Sequence, residues 1–524
     1  MSTLDLLIVN APSRPNIYGS LIQLSAIEVP VWAGLIACHC MNNGFSVQIL
    51  DAEAEGLTAG ETARRIIDVR PRLAAFSIYG QQPSASTQCL PMASAVCRAM
   101  KEMANDEGIR IPTLAFGTHP SALPERTLRE ELFDFVCQGE GVEPILRLLE
   151  VDWRNSQTLL STIPGLWRRG PGGLPALSFG TSRNISDLDA ELPGQAWELL
   201  SMKRYRGHNW HLWTAQREVE VIATRDFTVE PTGRERYAGG YASVQTSLGC
   251  PFKCSFCCIN APFGGAGIRY WSPENVVSQI NHLFTEYGIS NFKIPDEMFV
   301  LNRQHVLGIC NLIDDLSIGD RLNTWAYARI DTVKDTELLD RMRRAGFRWL
   351  GIGIESGSKH VRDGVEKGRF TENDIHHAVE RVRSAGICVG ANYIFGLPDD
   401  TRESMQKTLD LACELNTEWA NFYCAMAYPG SALHVQVSRE RPEWLPENNP
   451  CGWIGYSQHA PECMPLPTAT LSAAQVLAFR DEAFMRYFSR HEYQVMLTAL
   501  LGDEPVQQVL RMLAVGKPKR NLLS

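Results

Sequence analysis

Over residues 1–150, short apolar runs alternate with amphipathic stretches. Leu4–Asn10 (LDLLIVN), Phe45–Leu50, Leu73–Tyr79, Thr113–Phe116 and Phe133–Cys137 read as buried strands. Between them Val31–Asn42, ending before Gly44, and then Glu61–Val69 and Thr87–Met103 carry helical spacing. Strands separated by helices predict an α/β domain with a doubly wound parallel sheet. Ligands of such sheets sit beyond the strand C-termini. The expected ligand loops are therefore Asn10–Pro12, Asp51–Gly56, Ser77–Gln81, Gly117–Pro120 and Gly139–Gly141.

Residues 151–240 lose the rhythm. GLWRRGPGGLP and VEPTGRERYAGG are rich in Gly, Pro and Arg and read as a connector with a few short elements. From Tyr241 the alternation returns, with strand-like runs at Ser243–Ser247, Asn291–Pro295, Asn323–Ala328, Arg348–Ile354, Ile387–Phe395 and Trp419–Met426. Each interval is helical in pattern; in the first, Ser272 is placed to cap and Pro273 suits the first turn. Six βα units predict a partial (β/α)6 barrel over residues 241–440, with its site at the strand C-termini. Residues 441–524 form a tail, a Pro-rich loop and then helices from about Ser472. Within that loop Trp453, Tyr456, Gln458, His459 and Met464 read as packed, with a place at the barrel mouth as the alternative.

Composition narrows the setting. The 524 residues carry 50 Lys+Arg against 59 Asp+Glu, a net charge of −9, so no basic field points to nucleic acid or an anionic membrane. No apolar run approaches the roughly 20 residues that span a bilayer. The first residues, MSTLDLLIVNAPSRP, do not read as a secretory signal. With that, 15 Cys imply reduced thiols and a cytoplasmic protein.

Directly after the first barrel strand stands Cys250-Pro-Phe-Lys-Cys254-Ser-Phe-Cys257. Three thiolates on one short loop can wrap one face of a metal centre. Structural zinc takes four protein ligands, often as two separated pairs, and no second pair follows here. A buried or zinc-binding cysteine cluster is the plain alternative. Cys258 adjoins the motif, and its side chain should project elsewhere.

This loop resembles the C-x3-C-x2-C hallmark of the radical S-adenosylmethionine (SAM) superfamily. The resemblance implies a 4Fe–4S cluster on Cys250, Cys254 and Cys257, whose open iron chelates SAM and cleaves it to a 5′-deoxyadenosyl radical. Phe256 matches the aromatic position that packs near the adenine. The remaining strand ends fit the same pattern: Asp296-Glu297, Arg329, Glu355-Ser356-Gly357 and Gly396-Leu397-Pro398, with Tyr428-Pro429-Gly430 after the last strand. In the family, the acidic dipeptide, the fourth-strand polar residues and the Gly-Leu-Pro turn approach the methionine, ribose and adenine. Helix capping and turning are the alternative for any one of them.

The whole arrangement is similar to the cobalamin-binding subgroup of that superfamily. It implies a Rossmann-like cobalamin domain at 1–150, a linker at 151–240, the barrel at 241–440 and a C-terminal extension at 441–524. Pro30-Val-Trp-Ala-Gly34-Leu35 resembles the opening of its first helix. Asp51-Ala-Glu53-Ala-Glu-Gly56 aligns with D-x-H-x-x-G, with Glu53 in the place of His. The change argues against a protein ligand below cobalt, and not against the cofactor. Ser77, Gly117-Thr118-His119 and Gly139-Glu140-Gly141, at later strand ends, are the other expected cobalamin contacts. His119 reads as a loop histidine making local hydrogen bonds. A degenerate, ligand-free domain is the alternative.

What this implies is a cobalamin-dependent radical SAM enzyme, a C-methyltransferase using methylcobalamin on an unactivated carbon of a small molecule. An external flavodoxin- or ferredoxin-type donor would supply electrons, and no general base stands out. A radical cyclase or rearrangement enzyme and a non-catalytic cobalamin- or metal-binding sensor are the alternatives. The two rims of strand ends are expected to share one interdomain cavity.

Overall fold

A computed structural model of the chain describes residues 4–80, 85–151, 157–213, 240–368 and 370–523. The first sheet holds β1 (Leu6–Asn10), β2 (Val47–Asp51), β3 (Leu73–Ile78), β4 (Thr113–Gly117) and β5 (Phe135–Cys137), all parallel, in the order β2-β1-β3-β4-β5. Alternate residues of β1 feed two cores. Leu6 and Ile8 join the core that Val31–Asn42 and Val142–Glu150 cover, whereas Leu7 and Val9 join the one under Ala59–Val69 and Leu90–Asp106. Helices on both faces of a parallel sheet are what near-continuous apolar strands require. The expected helix at Thr87 begins as a 3-10 turn, Thr87–Cys89, and becomes α-helical at Leu90.

The sheet does not stop near residue 150. β6 (Leu166–Arg169) and β7 (Pro175–Leu177) extend it antiparallel to seven strands, so part of the expected connector belongs to the first domain. Gln81 and the VEPTGRERYAG stretch lie outside the described residues.

The second sheet is all parallel. It runs in the order β15-β14-β13-β12-β11-β8, with β8 Gly240–Ser243, β11 Ile289–Lys293, β12 Asn323–Arg329, β13 Phe347–Glu355, β14 Cys388–Phe395 and β15 Trp419–Cys424. One expectation fails instructively. The first barrel strand ends at Ser243, because the Asp296 carboxylate accepts from Thr246 N (2.9 Å), Thr246 Oγ1 (2.7 Å) and Ser247 Oγ and bends the chain outward. Ser247–Leu248 (β9) then pairs antiparallel with Arg269–Tyr270 (β10), so the cysteine motif hangs in the loop of a two-stranded ribbon.

Two segments close the barrel. At the N-terminal end of its strands, Trp325 stacks on Trp349 (centroids 5.2 Å), and the connector supplies Trp210 against Trp419 (4.0 Å). Trp213 O accepts from Trp349 Nε1 (2.9 Å), and His211 O accepts from Asn323 Nδ2 (3.0 Å). At the open edge, helix Ala473–Phe488 covers β15, with Phe479 edge-on to Phe395 and Tyr487 OH donating to Thr417 O (2.6 Å). Covering an edge strand removes a pairing template. Among the described residues no helix is long and apolar enough to cross a membrane.

Candidate active site

Gly249 sets the start of the cysteine loop. Its φ is +92°, and a Cβ there would stand 2.5 Å from Gly267 O, so no other residue fits. Asn260, which the motif did not reveal, braces the loop: its Oδ1 accepts from Cys250 N (3.0 Å) and its Nδ2 donates to Cys250 O (2.8 Å). Leu433 N donates to Ser255 O, and Ser255 N to Val365 O, tying the loop to the far strands. Burial pushes the Cys250 thiol up to about 11 and the Cys257 thiol well up, so a cationic centre is what would ionise them. Arg329 donates to Cys254 Sγ (3.8 Å) and lies over the Phe252 ring (3.9 Å). Among the described residues the three thiols do not gather within 4.8 Å of one another, as ligands of one tetrahedral ion would. The donor set fits a cluster bound through three thiolates. Cys258 is buried and lies against Gly430.

The other barrel positions divide into free and engaged. Asp296 is consumed by the strand bend. Burial lifts it to about 6, and its hydrogen bonds from Ser247 and Thr246 pull it down. Glu297 accepts no hydrogen bond among the described residues and faces the cavity between the domains. Burial raises it to about 7 against the pull of Lys367 and Lys293. Glu355, at φ +66°, pairs with Lys367 (2.5 Å). The Ser356 hydroxyl meets Thr408 Oγ1 (3.2 Å), and Gly357 N donates to that same oxygen (2.9 Å). These two residues join a helix to the wall and offer no free group. In the Gly396-Leu397-Pro398 turn the Gly396 and Leu397 amides donate to Asp400, and Leu397 packs with Val361, Val365 and Phe256.

On the first domain, Asp51 caps the turn after β2 and accepts from Asn10 Nδ2 (2.8 Å) and Tyr205 OH (2.7 Å). Glu53 accepts from Arg14 N (2.9 Å) and faces the Arg14 guanidinium at 3.9 Å. Burial raises Glu53 to about 7. Gly56 ends the turn at φ +68°. Gly117, at φ +132°, admits no side chain, since a Cβ would stand 2.2 Å from Ile78 O.

Four expected contacts serve other ends. His119 is buried edge-on to Trp453 (4.7 Å) with Nδ1 3.2 Å from Thr87 Oγ1, and burial lowers its pKa to about 3. Glu140 accepts from Ile185 N (2.7 Å) and is ion-paired with Arg269 on the cysteine ribbon, so it joins the two domains. The Cβ of Gly139 would meet Ser182 Oγ at 2.4 Å and that of Gly141 Phe116, so both glycines allow close packing. Of the C-terminal loop, Gln458 bonds both the amide and the carbonyl of Cys424 (2.9 Å each), and Ser457 Oγ donates to Ile17 O. Trp453 and Tyr456 pack inside that interface.

An open cavity separates the two rims. Asn10, Glu53, Ser77, Tyr79 and Thr118 line it from the sheet side, and Ser243, Gly249, Lys293 and Glu297 from the barrel side. The expected shared cavity is present only in part: its barrel wall comes from the first two strands, and neither Cys250–Cys257 nor Glu355–Gly357 lines it, the cysteine loop reaching it only through Gly249. Two buried polar atoms of lining residues, Tyr79 OH and Thr118 Oγ1, have no hydrogen-bond partner in the protein. Such atoms fit a wall that takes a ligand rich in amides and hydroxyls. Sequence reasoning missed Arg14, Tyr18, Glu28 and Lys293. Glu28 accepts from Lys293 Nζ (3.0 Å), Tyr241 OH and Ser243 Oγ (2.8 Å each) on the cavity wall.

Residues 21–149 match the B12 binding domain, and residues 244–412 match the Radical SAM superfamily. The chain is a radical SAM protein with an N-terminal B12-binding domain. It is 27% identical over 394 residues to an uncharacterized methyltransferase of Pyrococcus horikoshii, covering 74% of each chain. It is 23% identical to the anaerobic magnesium-protoporphyrin IX monomethyl ester cyclase of Rubrivivax gelatinosus, over 81% of this chain and 69% of the cyclase. Its fold is that of the radical SAM methyltransferase TsrM of Kitasatospora setae, solved with cobalamin and a [4Fe-4S] cluster, with TM-score 0.62 and 18% identity over 84% of this chain and 75% of TsrM.

Proposed function

We propose that the protein is a cobalamin-dependent radical SAM C-methyltransferase acting on a small molecule. The observation that carries the reading is the cavity lined from both rims, because methyl transfer to a substrate carbon needs the reacting atoms near contact. When bound, the cluster and SAM supply a radical that removes a substrate hydrogen, and cobalamin supplies the methyl group.

Cys250, Cys254 and Cys257 would hold the cluster. Glu297 is the free carboxylate for the SAM amino group; Phe256 and the Gly396–Pro398 turn form the wall for the adenine. Arg329 and Lys367 place positive charge beside Cys254. On the other side Ser77, Tyr79 and Thr118 offer neutral hydrogen-bonding groups to the corrinoid. Glu53, held by Arg14, fills the place of a lower ligand. Asp296, Ser356, Gly139, Glu140 and Gly141 hold the scaffold.

The test is SAM carrying a labelled methyl group, supplied with a one-electron donor to anaerobically reconstituted enzyme. S-adenosylhomocysteine together with 5′-deoxyadenosine and a labelled product supports methyl transfer. 5′-Deoxyadenosine without S-adenosylhomocysteine indicates a cyclase or rearrangement, a reading favoured by the cyclase relative. Consumption of no SAM under these conditions overturns enzyme function.

A further inference from the structure

The barrel lumen lies between two aromatic layers. Trp325 and Trp349 close it below, and above it Tyr18 of the first domain stacks on His459 of the C-terminal loop (centroids 5.2 Å). Strand alternation turns Tyr327, Asn392, Asn421 and Tyr423 inward; each is partly exposed while its strand neighbours are buried. That exposure is to the lumen, since helices cover the outer face.

The hydrogen-bonding groups in this space are not equally free. Asn421 Nδ2 donates to Asn392 Oδ1 (2.8 Å), and Asn421 Oδ1 accepts from Trp419 Nε1 (2.8 Å). The nearby cations are paired: Lys293 with Glu28 (3.0 Å), Lys367 with Glu355 (2.5 Å), Arg329 with Asp331 (3.0 Å), Arg14 with Glu53 (3.9 Å), and Arg480 with Asp481 (3.2 Å), which Arg520 shares. The Tyr423 hydroxyl makes no hydrogen bond among the described residues. It feels the charges of Glu355, Glu297 and Arg480 and neighbours Tyr327 and Tyr18, the last of which lines the interdomain cavity.

We propose that Tyr423 is a specificity-determining residue of the substrate site, donating its hydroxyl hydrogen to an uncharged oxygen acceptor (a carbonyl, amide or hydroxyl) on an otherwise apolar substrate. The placement rests on the proposed function, which puts substrate between the two rims. An anionic group would need an unmatched cation in this dry space, and the cations there are engaged. A cationic group would compete with SAM for Glu297. A neutral acceptor costs nothing electrostatically and satisfies the phenol, and a site built around a hydroxyl rejects analogues that leave it unpaired.

The test uses four small probes on the full chain loaded with cluster, corrinoid and SAM: benzamide, toluene, benzoate and benzylammonium. Binding is followed by ligand-observed NMR in wild type and in Tyr423→Phe. Benzamide should bind at least about tenfold more tightly than either ion, and Tyr423→Phe should weaken benzamide about tenfold while leaving toluene unchanged. SAM affinity, iron and corrinoid content and the thermal midpoint should be the same in both proteins. Preference for an ion, failure of benzamide to bind, or equal benzamide binding by the variant overturns the proposal. Weakened SAM binding in Tyr423→Phe moves the residue to the nucleoside site and equally overturns it. Failure of the functional reading shows elsewhere, as absent corrinoid uptake or absent 5′-deoxyadenosine.

Discussion

The barrel rim and the sheet rim are built alike and furnished differently. Both lie at the C-terminal ends of parallel strands, and both face the same cavity. The barrel rim carries charge: Glu297, Lys293, Glu355 with Lys367, and Arg329 beside a thiol. The sheet rim adds neutral groups, Ser77, Tyr79, Thr118 and backbone, and its charges are matched, Arg14 with Glu53 on the rim itself and Glu28 with Lys293 of the barrel. A sulfonium and an iron–sulfur cluster bring charge that must be met, while a corrin edge of amides asks for hydrogen bonds. Under the proposed function, the charged cofactors would sit beside the cysteine loop and the corrin beside the free hydroxyls of the sheet rim.

The largest test of that separation is loss of one cofactor without the other. Replacing Cys250, Cys254 or Cys257 by Ala should reduce bound iron from about four per chain to near zero, and corrinoid uptake should persist. Cys258→Ala should keep its iron. Cluster loss in Cys258→Ala alone would overturn the ligand assignment. In the other direction, Tyr79→Phe with Thr118→Val should weaken corrinoid binding about tenfold, roughly the 1.4 kcal/mol of one or two hydrogen bonds, and leave iron and SAM binding unchanged.

The joint between the rims is the next point of attack. Glu140→Ala leaves Arg269 without its carboxylate and Ile185 N without its acceptor. Stability in denaturant should fall by about 3 kcal/mol. If the loss is below about 1 kcal/mol, the pair does not hold the domains.

Acid titration sharpens the comparison further, because Glu297 and Glu53 stand on opposite rims and are both raised to about 7 by burial. A carboxyl whose pKa is higher folded than unfolded binds more protons in the folded state between the two values. Stability of the cofactor-free protein should therefore fall as pH rises from about 4.5 to about 7, by up to about 3 kcal/mol for each group. Glu53→Gln and Glu297→Gln should each flatten the curve, measured by denaturant midpoints across that range. The smallest effect tests the likeness of the scaffolds. Thr58 and Thr401 each cap a helix through a reciprocal box, one behind each rim. Each Thr→Ala change should cost about 1 kcal/mol and leave both cofactors bound.

For the bound corrinoid, Glu53 in place of His predicts a cob(II)alamin spectrum without nitrogen superhyperfine splitting. Such splitting would mean that a nitrogen reaches cobalt after all.

Legibility followed locality. The motif of Cys250, Cys254 and Cys257 is legible because its spacing is written within eight residues, and the strands are legible because burial on both faces leaves unbroken apolar runs. Asp296 was readable as a strand end and misread in role, since its work is a bond to Thr246, fifty residues away. Glu28, Tyr18 and Arg14 come from a stretch without a motif and reach the cavity through packing alone. Glu140 looked like a ligand residue because it sits between two glycines at a strand end; its partner Arg269 lies on another domain.

The connector tryptophans have a consequence for anyone who divides the chain. A fragment beginning at residue 240 keeps all six barrel strands and the cysteine motif, yet loses Trp210 and Trp213. It would present Trp325, Trp349 and Trp419 to water as one contiguous oily floor. Such a piece should aggregate on expression. Inheritance of the barrel as a movable unit would then include this stretch, even though its sequence looks like spacer.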